Sequence, residues 1–429
     1  NIYEVFKRMS FGYWGNNGKF VLTSDKFSKY KCSVHERNGG HHGFINNTTI
    51  KNYKYHLWFV PYDDLHDNNY SDDIIKELFP DPKLYNNDEK LYVIVDRKVE
   101  FNDGSSVFGR LSDLGYNIKR IKILCNNKFK QKKLNFVPFC WEFFYNGLIM
   151  SRTNEDFVKL QVGAETTKAY IEKWETIHPG GFESADEFKQ WLYKLPDFTK
   201  GIKRDFKCLF YNAVLHNHRL VMLGDMKRRK IQDNFLYSAY NRDMTSKEQL
   251  ISNLENTKLV YNREIISYGK DLIETEIPKQ LGNNFDGDRE VFNDLVNYDH
   301  YNSTWFSLVP ETTFSSSTCT RLTEKTFRAS MMHPFILAAS PGSLQMFKDF
   351  GFKTFPYLFD ESYDDIENHT ERLRFVMNQV HTIIKMDENK FMNKIKESYQ
   401  NVAYNQKHWM NLHNTLENYL VSVFEEMVE

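Results

Sequence analysis

Three stretches of this sequence hold residue types that could do chemistry. In the first, the apolar run 305–309 (WFSLV) stops at Pro310 and delivers Glu311 into a Ser/Thr-rich loop, which leads to Thr323, Glu324 and Lys325. If those three residues open a helix, they sit where unpaired backbone N–H groups and partial positive charge favour phosphate. A first-turn lysine adds a point charge aimed at the same oxygens. A carboxylate can only accept hydrogen bonds, so beside a phosphate it better serves ribose hydroxyls. The set describes a nucleoside-diphosphate site. The plain alternative is a capping box, with Thr320 or Thr323 as cap and Glu324 and Lys325 as solvated first-turn residues.

The second stretch is 212–219 (NAVLHNHR), which follows a strand candidate at 206–211 (FKCLFY) and precedes a helix. Arg219 could make bidentate contacts to a diphosphate there, with His218 as a donor and Asn212 at the strand end. Otherwise His218 is a surface residue and Arg219 pairs with a local carboxylate. The third group is acidic: Asp63 and Asp64 follow the run 55–60 (YHLWFV), and Asp96 follows 91–95 (LYVIV). A carboxylate at a strand end could deprotonate an acceptor hydroxyl, though most such residues are simply solvated.

Other clusters carry less. His35, His41 and His42 with Glu36 match no defensible ligand spacing, so no metal is expected. Asp286-Gly287-Asp288 reads as a turn, and the basic run 227–230 (KRRK) as the exposed end of a helix. There is no Walker lysine motif, GxGxxG or GxSxG.

The positioning elements follow from periodicity. Around the first stretch, the runs 305–309, 335–339 and 352–355 read as strands, with helices at 323–332 and 344–350 between them. Such alternation means parallel βαβ units, in which ligands sit at the carboxyl ends of strands. Runs at 55–60, 91–95, 118–124 and 134–139 read as strands in the first half, and 164–177 and 184–195 as helices. Residues 246–249 (SKEQ) form a capping box for a helix to Asn256. Residues 404–427 read as an amphipathic helical tail.

A chain of 429 residues suits two or three domains, and 41% apolar with 16% aromatic residues marks it as folded. A net charge of −1 shows no global signature for nucleic acid or anionic membrane. Five cysteines, odd in number and never as CxxC, point to a reducing compartment. No run approaches the ~18 apolar residues of a membrane span, and the first residues show no signal-peptide core. The expectation is a cytoplasmic protein with no integral membrane segment.

At these residues the sequence resembles the α1,3-fucosyltransferase-like group. Glu311, then Thr323-Glu324-Lys325, then His333-Pro334-Phe335-Ile336 looks like that group's donor-binding motif. Residues 206–212 with His218-Arg219 are similar to a strand and His-Arg pair found in related bacterial and viral glycosyltransferases. The resemblance covers about residues 204–375 and implies an α/β, GT-B-like fold of two Rossmann-like domains facing a cleft. On it, 1–198 is the acceptor-side domain, 199–375 the nucleotide-sugar donor domain, and 376–429 C-terminal helices able to pack back across the cleft. It further implies that Arg219 and Lys325 bind the diphosphate, Glu324 the ribose, and that Glu311 shapes the pocket. The transfer would be inverting and need no metal or other cofactor, with a glycan acceptor. The sequence departs from the pattern between Glu311 and Thr323 and after His333. Two rivals stay open: transfer onto a hydroxylated base in DNA, which the basic stretch 119–133 would serve, and a binding module without catalysis.

Overall fold

Short apolar runs become strands in both halves of the chain, and parallel pairing dominates. The computed structural model describes residues 30–34, 43–44, 55–60, 72–97, 105–125, 128–129, 136–138, 204–241, 243–281, 298–316 and 319–428. The chain divides into two units, Asn1–Phe188 with Met410–Glu429, and Lys189–Trp409.

In the first unit the described strands are β1 (Tyr30–Val34), β2 (Gly43–Phe44), β3 (Tyr55–Val60), β4 (Leu91–Arg97), β5 (Ile121–Cys125), β6 (Lys128–Phe129) and β7 (Phe136–Pro138). The helices are α1 (Asp72–Leu78), α2 (Pro82–Asn87) and α3 (Ser105–Asp113). One sheet has the order β2-β1-β3-β4-β5-β7, parallel except for β2 against β1. Its parallel strands neighbour each other in chain order, so among the described strands the direction of winding never reverses. Val60, Ile75, Leu78, Tyr85, Val93, Leu111 and Ile121 form its core.

Two expectations change here. Asp96 does not follow the strand: β4 runs on to Arg97, and Asp96 pairs with Leu124 of β5. The run 118–124 is not one strand, because Asn117 caps a 3-10 turn over Ile118–Arg120 before β5 begins. Arg120 ends that turn by donating to Tyr85 O (2.8 Å) and stacking over the Tyr85 ring (4.5 Å). The helices expected at 164–177 and 184–195 lie outside the described residues.

The second unit carries β8 (Cys208–Phe210), α4 (Asn217–Arg228), β9 (Phe235–Tyr237), α5 (Lys247–Asn256), α6 (Glu264–Thr275) and α7 (Tyr298–Asn302). Then come β10 (Phe306–Pro310), β11 (Cys319–Thr320), α8 (Glu324–Met332), β12 (Phe335–Ala338), α9 (Ser343–Asp349), α10 (His369–Ile384) and α11 (Glu388–Val428), whose residues from Met410 on belong to the first unit. The sheet order is β12-β10-β8-β9, all parallel. Every residue of β8, β10 and β12 is buried, as strands covered on both faces must be. The chain steps from β8 to β9 on one side and returns to β10 on the other. The order therefore reverses between β8 and β10, and a crevice at their carboxyl ends is the place such sheets offer a ligand.

Helices α4 and α6 approach closely through glycine. A Cβ on Gly224 would lie 2.7 Å from Ile265 O, so only hydrogen fits there. Ser246 caps α5 through Gln249 N, as its spacing predicts. The expected third strand at 352–355 is absent. Lys353 N donates to Asn405 Oδ1 and Phe355 N to Glu361 Oε1, both at 2.8 Å, so side chains take the place of a neighbouring strand. The apolar pattern there reports aromatic packing: Phe352 stacks on Phe347 and Phe355 meets Phe335 edge to face. The tail expected at 404–427 is the later part of one longer helix, α11.

The basic run 227–230 is also more than an exposed helix end. Arg228 (2.6 Å) and Arg229 (2.5 Å) both donate to Asp225, which is 0% exposed and also accepts from Tyr261 Oη at 2.5 Å. Arg229 reaches on to Asn378 of α10 (2.7 Å), tying α4 to that helix.

Candidate functional site

The residues singled out in the second unit meet at the carboxyl ends of β8 and β10. Glu311 follows β10 directly and is fully buried. Its Oε1 accepts from Thr323 N (2.9 Å) and from Thr326 Oγ1, and its Oε2 accepts from Thr323 Oγ1 (2.5 Å). Thr323 occupies the N-cap position of α8, yet its own side chain makes no capping bond. Glu311 supplies that function from outside the helix, with its charge on the positive end of the dipole. Lys325, half-buried in the first turn, reaches Thr323 Oγ1 with its ammonium at 3.3 Å. Glu324 opens α8, but its side chain lies outside the described residues.

The loop after β8 closes onto the same strand end. His218 meets Glu311 O at 3.0 Å through Nε2, and Arg219 donates to Pro310 O at 2.9 Å and Val214 O at 2.7 Å. The guanidinium expected to face a diphosphate is thus 2% exposed and spends two of its nitrogens on carbonyls. Burial pushes the His218 imidazole well below the ordinary histidine range, and the neighbouring Arg219 and His216 add to that. His218 is therefore neutral, and because a carbonyl only accepts, its proton sits on Nε2. Asn212 stands at the end of β8, fully buried, donating to Ser238 O at 3.0 Å.

Beyond these, the structure adds residues that the sequence reading passed over. His216 stacks on His218 (5.9 Å), His218 on Phe314 (5.1 Å), both at 13°, and the Arg372 guanidinium lies 4.6 Å over Phe314. Arg372 also donates to Ala339 O, Ile366 O and Phe314 O. Burial lowers it to about 10. Its helical register held the signal: Arg372 falls in line with buried Val376, Val380 and Ile383 on α10.

The edge has a pattern of charge. Asp364, pushed above the usual carboxylate range by burial, accepts from Leu344 N and Gln345 N (both 3.1 Å) at the start of α9. Glu311 holds the start of α8 through one backbone amide, Thr323 N, and the hydroxyls of Thr323 and Thr326. The third helix start at this edge, α4, has His216 at its N-cap with no side-chain capping bond.

The first-unit candidates are not brought into any described geometry. Asp63 and Asp64 lie outside the described residues, as do His35, Glu36, His41, His42, Asp286 and Asp288, while Asp96 is described only as part of β4. Among the described residues no group of three or more His, Cys, Asp or Glu side chains could hold a metal ion. Among them no helix is long and apolar enough to cross a membrane.

No known family model matches the chain, and no curated protein matches it significantly, so the α1,3-fucosyltransferase-like resemblance has no support from these comparisons. Among solved structures it is similar to the Glycosylation Associate Protein (Gap123) complex from Streptococcus agalactiae. That likeness has 10% identity over 83% of this chain and 53% of the other, with a TM-score of 0.27. It is also similar to the trehalose-6-phosphate synthase OtsA, at 11% identity over 85% of this chain and 91% of that one, TM-score 0.32. An apo structure of OtsA gives 12% identity, 85% and 93% coverage and a TM-score of 0.32. The chain spans about half the length of the first of these, and likenesses this distant establish neither family nor activity.

Proposed function

We propose that the chain is a glycosyltransferase of GT-B type whose second unit holds a nucleotide-sugar donor at the carboxyl ends of β8 and β10. One observation carries this: of the residues picked out as donor ligands from sequence (Asn212, His218, Arg219, Glu311, Thr323, Glu324 and Lys325), His218, Arg219, Thr323 and Lys325 gather by hydrogen bonds around Pro310 and Glu311, where the strand order reverses. Lys325 is the cation for the diphosphate, since transfer leaves charge on the departing phosphate and a fixed ammonium stabilises it. Arg219 and His218 hold the β8–α4 loop against the end of β10. The proposed chemistry draws its positive charge from the chain and needs no metal. Asp63, Asp64 and Asp96 are the proposed candidates for the base, to be separated by single Asp→Asn variants.

The test is a thermal-shift screen against UDP-, GDP- and CMP-sugars, followed by release of free nucleotide with glycan acceptors. A donor at a hundred times its Kd adds about 2.7 kcal/mol of apparent stability. If no nucleotide sugar shifts the transition and Lys325→Ala changes nothing, the donor site does not exist.

A further inference from the structure

We propose that Thr323 is a positioning residue, which sets the place of the Lys325 ammonium through a hydrogen-bond chain anchored on Glu311; this rests on the nucleotide-sugar reading above. The direction of the chain follows from the chemistry of its members. Glu311 accepts from a backbone N–H and two hydroxyls, so the Thr323 proton points at Glu311 Oε2. The remaining lone pairs of Thr323 Oγ1 face elsewhere, and the Lys325 ammonium, which only donates, stands 3.3 Å away. The order is Lys325 to Thr323 to Glu311.

Three features make this more than a helix cap. Thr323 is 3% exposed and its anchor 0%, so the hydroxyl is held in one place, and a β-branched side chain is already stiff about χ1. At the N-cap position its side chain makes no capping bond, so the hydroxyl is free of the role such residues ordinarily have. Thr326 meets the same carboxylate from one turn on, and its hydroxyl makes no described bond to Lys325. Two threonines therefore satisfy one buried carboxylate, and Thr323 links it to the cation. A lysine side chain has several rotatable bonds, and a fixed partner near its end reduces the freedom lost when a phosphate binds.

Thr323→Val, Thr323→Ser and Thr326→Val separate the roles. Melting temperature reads the structural part. Acylation of Lys325 by limiting acetic anhydride, followed by peptide mass spectrometry, reads the ammonium without any donor present. Donor KM and kcat read the consequence. Both valine variants should melt below the wild type. Only Thr323→Val should raise Lys325 acylation, by about threefold, the scale of a half-exposed charged contact. It should also lower kcat/KM by about threefold, with part of the loss in kcat, because the ammonium stabilises charge that develops on the departing phosphate. Thr323→Ser should restore both. Equal acylation of Lys325 in both valine variants, or wild-type acylation in Thr323→Val, overturns the proposal. If acylation separates the variants as expected but no UDP-, GDP- or CMP-sugar binds the wild type, the positioning role stands and the nucleotide-sugar reading falls.

Discussion

Replacing Glu311 by glutamine keeps its volume, removes its charge and turns one acceptor into a donor. The glutamine oxygen can keep Thr323 N and Thr326 Oγ1, the two groups that Oε1 serves. Its amide nitrogen then faces Thr323 Oγ1, whose proton has lost its acceptor and whose lone pairs already take the Lys325 ammonium. Hydrogen bonds to a charged group contribute about 1.5–3 kcal/mol each and neutral ones about 0.5–1.5. Removing a carboxylate from a helix start costs about 0.3–1 kcal/mol more. The three bonds share one carboxylate and do not add independently, so Glu311→Gln should cost about 2–3 kcal/mol. Glu311→Ala strands three buried donors and should cost about 3–5 kcal/mol. Urea unfolding followed by far-ultraviolet circular dichroism measures both, from the shift in midpoint at constant m. A glutamine variant within about 0.5 kcal/mol of wild type, or one as damaged as alanine, would refute this account of how α8 is capped.

Three further outcomes follow from other features of the second unit. Asp225→Ala leaves two guanidiniums without their shared buried partner and should cost about 3–5 kcal/mol, with Asp225→Asn between; a urea midpoint unchanged in the alanine variant would contradict it. Gly224→Ala puts a methyl 2.7 Å from the Ile265 carbonyl, whereas at Gly269 the obstacle is a movable Leu254 methyl. The first should therefore lose about 1–3 kcal/mol and the second less, and the reverse order in thermal melts would disprove the backbone argument. Burial, with Arg219 beside one and Arg204 beside the other, holds His218 and His333 well below the ordinary histidine range. Unfolded chain then binds protons below about pH 6.5 that the folded chain refuses, so stability is complete above that pH and falls on acidification. The slope should approach about 1.4 kcal/mol per pH unit for each histidine, and urea midpoints that rise between pH ~7 and ~5.5 would exclude it.

What could be read from residue order was what local chemistry decides. Apolar runs ended by Pro310 or by Ser340-Pro341-Gly342 became β10 and β12, and the turn from Ser246 to Gln249 capped α5 as written. The placing of Asn212, Glu311 and Lys325 at strand ends and helix starts was legible for the same reason. Partners distant in sequence were not. Glu311 caps a helix twelve residues on through a loop whose path no periodicity reveals, and Arg229 meets Asn378 across 149 residues. Residues 352–355 looked like a strand because a short apolar segment after Gly351 marks burial, and an aromatic loop satisfies that condition without pairing. Arg372 was missed because a charged residue in an apolar stripe reads as an error in the stripe until the carbonyls around it are seen.

The stack from His216 through His218 and Phe314 to Arg372 joins the loop after β8, the loop after β10 and helix α10. A hinge needs one segment to swing while its neighbours stay, and here no segment can swing alone without splitting a ring pair or drawing a buried guanidinium off its carbonyls. The three move together or stay shut. Such an edge spends little ordering entropy when something settles on it, because that entropy was already surrendered during folding. Its amide protons around Phe314 and the first turn of α4 should exchange with solvent at a shared rate, as one cooperative unit.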